Sequence, residues 1–253
     1  MSNLSEKIRE ANAKGRKAVI PYLPAGFPGL TEFWDVIKEL DAAGADVIEI
    51  GVPFSDPVAD GPTVEQACLE SLELGVTLKW ILEELPKHRA GIKAGIVLMG
   101  YLNPFLQYGL EKLAKDAAAA GVGGLIIPDV PYEEAQEMKE ILGAQGIDFI
   151  YLVGLNTPPE RLKMYASNAS GYVYLVSVMG ITGARTSLPK EIGDKIIEVK
   201  EAFDVPLALG FGIKTPDQLE AFGDKLDGAV IGSALIDHIR GGGSAKEFLS
   251  PWV

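Results

Sequence analysis

Two acidic residues in the first quarter of the chain are spaced so that they could move protons on one ligand. Glu49 lies inside the apolar run DVIEIGV at 46–52. Period-two alternation puts Val47, Glu49 and Gly51 on one face and Ile48 and Ile50 on the other. A lone carboxyl on an inward face loses its water, so its proton affinity rises and suits it to proton transfer near neutrality, unless a buried cation or donor keeps it ionised. A structural glutamate paired inside the fold is the other reading. The next stretch, GVPFSDPVADGP at 51–62, carries Asp56 and Asp60 in a loop braced by three prolines. Such a loop could lay a second carboxylate over the same site as a semi-rigid flap; alternatively, either aspartate caps the helix that follows.

The last third of the chain supplies a different chemistry. Gly180 to Gly183, Gly210-Phe211-Gly212 and Gly232-Ser233 fall at the ends of successive apolar runs. Glycine lets the backbone approach a ligand closely, and a helix N-terminus offers unpaired N–H groups, so these segments suit a phosphate without requiring Lys or Arg. Tyr22, Tyr101, Tyr174 and Phe211 also fall near the ends of apolar runs, where they either wall a planar apolar ligand or serve as ordinary core. Cys68 has no histidine beside it and reads as core packing. His88 falls near a helix C-terminus, where a dipole contact is expected, and His238 reads as a surface residue.

Positioning these groups requires many short buried elements. Eight apolar runs read as strands: 18–23, 46–52, 95–101, 124–130, 148–154, 171–178, 205–212 and 228–235. Amphipathic stretches separate them, including LTEFWDVIKELDAAG, GLEKLAKDAAAAG, EEAQEMKEILGAQG, PPERLKMYASNAS and PDQLEAFGDKL, most ending in Gly where a left-handed C-cap is wanted. A polar leader at 4–14 predicts an extra N-terminal helix. The second crossover holds two helix patterns, TVEQACLESLELG and TLKWILEELPKHRAG, so it adds one helix after strand two. About 220 residues for eight units is about 27 each, which fits a closed (β/α)8 TIM barrel. A doubly wound open sheet is the structural rival, but no dinucleotide fingerprint follows the first strand. No linker divides the chain, so 1–253 is expected to form a single barrel domain.

Composition narrows the function. The chain has 253 residues, with 23 Lys+Arg against 35 Asp+Glu and a net charge of −12, which disfavours a nucleic-acid footprint or an anionic membrane surface. One cysteine excludes an intramolecular disulfide and a multi-cysteine zinc site, and two histidines exclude a His-rich metal centre. No metal site is expected. No apolar run is long enough to span a bilayer and the first residues lack a signal-peptide core, so a cytoplasmic location is expected.

The segment IEIGVPFSDPVADGP at 48–62 closely resembles the signature of the tryptophan synthase α-subunit family. Further matches run in the family's order: IPYLPAGFP at 20–28, VLMGYLNPF at 97–105, GLIIPDVPYEE at 124–134, GYVYLVS at 171–177, GITGAR at 180–185, GFGI at 210–213 and GSAL at 232–235. The resemblance implies a (β/α)8 barrel that cleaves indole-3-glycerol phosphate to indole and glyceraldehyde 3-phosphate and passes the indole to a β subunit carrying pyridoxal phosphate. It implies an α2β2 assembly and no cofactor on this chain. By the same resemblance Glu49 matches the catalytic acid/base and Asp60 the second catalytic carboxylate. Thr182 and Gly183 match a closing loop, and Gly212, Gly232 and Ser233 match contacts to the substrate phosphate. Tyr174 matches a tyrosine beside the glutamate, while Tyr22, Tyr101 and Phe211 match the lining of the indole pocket. The chain departs from the family pattern at Pro24, Phe27, Gly123 and Leu155. A sugar-phosphate isomerase or epimerase barrel, and a non-catalytic barrel that activates a partner, are the alternative readings.

Overall fold

Strands rich in Val, Ile and Leu on both faces must be covered on both, and this chain achieves that by closing its sheet inside a sleeve of helices. The structure is a computed structural model describing residues 3–176, 190–210 and 212–253; the side chains at 190, 191 and 221 fall outside the description. Its strands are β1 (Ala18–Pro24), β2 (Val47–Gly51), β3 (Gly95–Met99), β4 (Gly124–Ile126), β5 (Asp148–Phe149), β6 (Tyr151–Gly154), β7 (Val173–Val176), β8 (Leu207–Gly210) and β9 (Gly228–Ile231). Every residue of β1, β2, β3, β8 and β9 is buried.

Neighbouring strands follow the order β5-β4-β3-β2-β1-β9-β8-β7-β6, and all pairings are parallel. The two ends of that row are one piece of chain. β5 and β6 divide the expected 148–154 strand at Ile150, whose N–H still donates to the Leu125 carbonyl at 2.9 Å. Because β5 pairs with β4 and β6 with β7, this segment joins the two ends and closes the (β/α)8 barrel. The fifth stave changes partner along its length, which is why it is two short strands rather than one.

The helices are α1 (Asn3–Ala13), α2 (Leu30–Ala43), α3 (Pro62–Glu73), α4 (Leu78–Arg89), α5 (Leu102–Tyr108), α6 (Leu110–Ala119), α7 (Gln136–Gly143), α8 (Pro159–Ala166), α9 (Lys190–Ala202), α10 (Ser233–Arg240) and α11 (Ala245–Leu249). The leader helix and the doubled crossover, α3 with α4, are both present. Gly44 ends α2 with a φ of 106°, a left-handed turn in which its N–H reaches the Leu40 and Asp41 carbonyls. The expected helix PDQLEAFGDKL is instead a 3-10 run over Pro216–Lys225. Its capping box, Thr215 with Gln218, starts a helix, but Gly223 adopts a φ of 48° and breaks it.

Helix α1 seals the N-terminal end of the barrel. Leu4 is 1% exposed, and a Cβ added at Gly95 or Gly124 would come within 2.6 or 2.8 Å of its δ carbons. Gly123, one of the departures from the family pattern, likewise faces Leu4, so it belongs to this seal and not to the ligand end. Beside it, Arg16 makes a two-pronged ion pair with Asp46 at 2.6 and 2.8 Å, and the same carboxylate accepts the Val19 N–H at 2.9 Å. Leu4→Ala should therefore cost about 2–5 kcal/mol, measurable as a lower urea midpoint with an unchanged slope.

Candidate active site

All nine strands point the same way, so the loops after β2, β3, β8 and β9 gather at one mouth, opposite the α1 seal. Glu49, in the middle of β2, is fully buried and pairs across strands with Tyr22 of β1 and Val97 of β3. Its Oε1 accepts a 2.6 Å hydrogen bond from the Tyr172 hydroxyl. In the sheet order β1, β9 and β8 stand between β2 and β7, and Tyr172 directly precedes β7, so this bond spans the interior of the barrel. The inward face expected for Glu49 is thereby established. Its Oε2 is buried and has no hydrogen-bond partner among the described residues. Burial raises the Glu49 pKa to about 8, opposed only by the Tyr172 bond, so the group holds its proton at neutral pH.

The flap sorts its two aspartates. Asp56 is exposed and takes a 2.5 Å bond from the neighbouring Ser55 hydroxyl. Asp60 turns inward and accepts from the Tyr101 hydroxyl at 2.9 Å, while that hydroxyl accepts the Ala59 N–H at 3.0 Å. Neither aspartate caps α3, because the N-cap is Gly61 with Pro62 following it. Burial raises the Asp60 pKa to about 6 against the Tyr101 bond, with Glu65 adding to the rise. Asp60 is accordingly ionised at the pH where Glu49 is neutral. Phe54 of the flap lies 5.4 Å from the Tyr101 ring, ring centre to ring centre, which continues the aromatic wall.

Two tyrosines occupy room vacated by glycines on the next strand. Tyr22 is opposite Glu49 and its hydroxyl lies where a Cβ on Gly51 would sit; Tyr174 is opposite Ala208 and lies in the same way over Gly210. Both rings are buried, which raises both phenol pKa values, with Asp60 adding to each and Glu49 to Tyr174. Tyr174 thus shares the electrostatic neighbourhood of Glu49, as expected, although the hydrogen bond comes from Tyr172. Period-two alternation through GYVYLV carries that signal, since Tyr172 and Tyr174 share a face.

Cys68 on α3 is buried, as expected for core packing. Its thiol pKa is pushed up to about 12, chiefly by burial and then by Asp60, and it shares a hydrogen bond with Tyr22. It is a wall of the site in its un-ionised form. His88 occupies the last turn of α4 and stacks on Trp34 at 4.4 Å, outside the barrel. His238 is in the last turn of α10, with Nε2 3.0 Å from the Ser244 carbonyl, at the opposite end of that helix from Gly232.

At the end where a phosphate is expected, Gly232 is the N-cap of α10 and Ser233 its first residue, so the first-turn N–H groups of an eight-residue helix open at the mouth. A Cβ on Gly232 would lie 3.1 Å from Tyr22 Cδ1, which puts this helix end against the aromatic wall. Gly212 adopts a φ of 79°, a conformation that side chains resist. Thr182, Gly183 and Phe211 lie outside the described residues. Among the described residues no group of three or more His, Cys, Asp or Glu could hold a metal ion, and no helix is long and apolar enough to cross a membrane.

The divergent carboxyls carry a stability signature. Native Glu49 binds its proton with a pKa of about 8, against 4.5 ordinarily. The folded state therefore gains from that proton fully below about 4.5, and the gain is lost as pH rises through about 8. The corresponding loss for Asp60 is complete near pH 6. Glu49→Gln should thus remove the fall in unfolding free energy between pH 6 and 8, a change on the order of 1–3 kcal/mol in urea titrations.

A family model described as Tryptophan synthase alpha chain matches residues 8–248. A tryptophan synthase alpha chain from Solidesulfovibrio magneticus is 60% identical over 251 residues, covering 99% of this chain and 98% of that one. One from Maridesulfovibrio salexigens is 55% identical over 252 residues, covering 100% and 99%. Among solved structures, a chain of Mycobacterium tuberculosis tryptophan synthase superposes with a TM-score of 0.91 at 34% identity, covering 99% of this chain and 96% of that one. Tryptophan synthase subunit alpha from Legionella pneumophila gives 0.88 at 31% identity, covering 100% and 97%.

Proposed function

The chain belongs to the tryptophan synthase alpha chain family, and on that premise we propose that it cleaves indole-3-glycerol phosphate to indole and glyceraldehyde 3-phosphate in tryptophan biosynthesis. It is a carbon–carbon lyase working as one barrel domain. The observation that carries the reading is the fully buried Glu49 carboxyl inside the barrel and the half-buried Asp60 carboxyl on the flap, each held by a tyrosine hydroxyl; burial raises their pKa values to about 8 and about 6. One is an acid and the other a base at the same pH.

The reaction is a retro-aldol cleavage, and its difficulty is that the indole ring leaves poorly until C3 is protonated. Glu49 delivers a proton to C3, and the ring nitrogen takes on positive charge. The resulting carboxylate then removes the proton from the side-chain hydroxyl next to the ring. As that O–H bond breaks, its electrons form the aldehyde C=O, the bond to C3 breaks, and its electron pair returns to the ring. Glu49 ends protonated, as it began. Asp60, held by Tyr101, accepts the indole N–H and offsets the positive charge. The α10 N-terminus with Gly212, Gly232 and Ser233 holds the phosphate through backbone N–H groups, so remote binding energy orients the reacting end. Tyr22, Tyr101 and Tyr174 line the indole pocket; Phe211, Thr182 and Gly183, which the family resemblance assigns to the pocket and its closing loop, lie outside the described residues.

The product indole passes to a β partner in an α2β2 assembly, and pyridoxal phosphate belongs to that partner; no step of this chain uses it. The absence of a membrane-crossing helix among the described residues is compatible with a cytoplasmic enzyme.

Assay of free indole from indole-3-glycerol phosphate tests the reading. Glu49→Gln should lower kcat about 10²- to 10⁴-fold with the fold intact, and full retention of activity would exclude the acid/base role. Asp60→Asn should lose rate with KM little changed, whereas a loss confined to KM would make Asp60 a binding residue only. Ser233→Leu should raise KM about tenfold or more, a penalty that should vanish for substrate lacking its phosphate.

A further inference from the structure

A buried carboxyl with two oxygens can in principle exchange its proton from either one, and the surroundings of Glu49 make the two unequal. Oε1 is occupied by the Tyr172 hydroxyl at 2.6 Å, whereas Oε2 is enclosed and meets no hydrogen-bond partner among the described residues. The titratable groups around the pair are Tyr22, opposite Glu49 on β1, Tyr174 on β7, and Asp148 on β5, which acts on Tyr172; Asp60 acts on Tyr22 and Tyr174. On β3 the facing residue is Val97. All of these are neutral or acidic, so the carboxyl is held by a phenol rather than a cation.

A phenol differs from a lysine or arginine in one useful respect. It donates to a carboxyl oxygen whether or not the other oxygen carries a proton, and adds no charge that would force ionisation. Burial and Glu49 itself keep Tyr172 protonated, so it is always the donor. We propose that Tyr172 is a positioning residue that ties down Glu49 Oε1, leaves Oε2 as the one oxygen that trades protons with the substrate, and sets the pH at which Glu49 stops being an acid. The proposal rests on the acid/base reading of Glu49. In it the Oε2–H bond breaks as the C3–H bond forms, and Oε2 regains a proton as the hydroxyl O–H breaks, while the Tyr172 O–H and its bond to Oε1 persist through both transfers.

The experiment is a pair of pH titrations on the full chain carrying Tyr172→Phe. One follows kcat/KM for indole formation; the other follows the infrared carboxyl C=O band, identified as the band lost in Glu49→Gln. A donor that favours the carboxylate is removed, so both midpoints should rise together by about one to two pH units. Lost orientation should also lower kcat at neutral pH about tenfold, with KM little changed. A lower melting temperature with an unmoved infrared midpoint would make Tyr172 a packing residue and overturn the proposal, as would a downward shift. Should the Phe variant not fold, 3-fluorotyrosine placed at position 172 keeps the shape and donates more strongly; the infrared midpoint must then fall, and a midpoint that stays put overturns the proposal. The infrared titration reads this without turnover. If Glu49→Gln stayed active, the acid/base reading would fail on its own, and the two failures are told apart.

Discussion

The site depends on a carboxyl kept out of water at the centre of a closed barrel. Glu49 has no solvent contact, and among the described residues its carboxyl takes a hydrogen bond only from Tyr172 across the lumen. Such a group stays neutral near pH 7 only while the barrel is shut around it, since water would restore the ordinary carboxylate pKa. Closure through the β5–β6 stave and the α1 seal at the opposite end are therefore part of the chemistry as well as of the fold. Leu4, packed over Gly95, Gly123 and Gly124, closes the N-terminal end beneath the level at which Glu49 works.

Glycine and tyrosine act as complementary shapes above that level. Gly51 and Gly210 lack the Cβ that would collide with the Tyr22 and Tyr174 hydroxyls, so each large ring folds over the neighbouring strand and fills the interior. Tyr101 and Tyr172 hold one carboxyl each through neutral phenols. An arginine or lysine at either place would ionise its partner and cancel the difference between an acid at about 8 and a base at about 6. In the proposed reading backbone N–H groups hold the phosphate, which follows the same economy of charge and reconciles an anionic substrate with a net charge of −12.

Several other carboxylates at the barrel's periphery accept backbone donors. Asp46 takes the Val19 N–H, Asp41 the Lys93 and Ala94 N–H groups, Asp129 the Leu102 N–H and Asp227 the Leu207 N–H. These bonds are structural, tying strand ends and loops to one another. They show why an acidic residue beside a strand is a poor guide to catalysis by itself: burial without a backbone donor, as at Glu49, is the informative combination.

Much of this is legible in the chain itself. Apolar runs, each bounded by Gly or Pro, determine a parallel sheet because strands that are apolar on both faces must be covered on both, and their even spacing favours a closed barrel over an open doubly wound sheet. Alternation through DVIEIGV sets Glu49 on the face opposite Ile48 and Ile50, and the proline-braced loop allows an aspartate to lie over it. Local pattern could not choose between Asp56 and Asp60, since both are short acids in the same loop; the choice belongs to Tyr101, a residue 41 positions further on that accepts Ala59 and donates to Asp60. Nor could it divide the fifth strand at Ile150 or break the 216–225 helix at Gly223, because strand partners and backbone angles are set by neighbours remote in sequence. Tyr172 was hidden for the same reason: periodicity gives the face of a side chain but not the group it meets, and its partner lies 123 residues away across the barrel. The sequence by itself determined which residues share a face of each strand; only closure of the sheet decided which face is interior and which residues touch, because contact across a barrel depends on the distance between strands that are never neighbours.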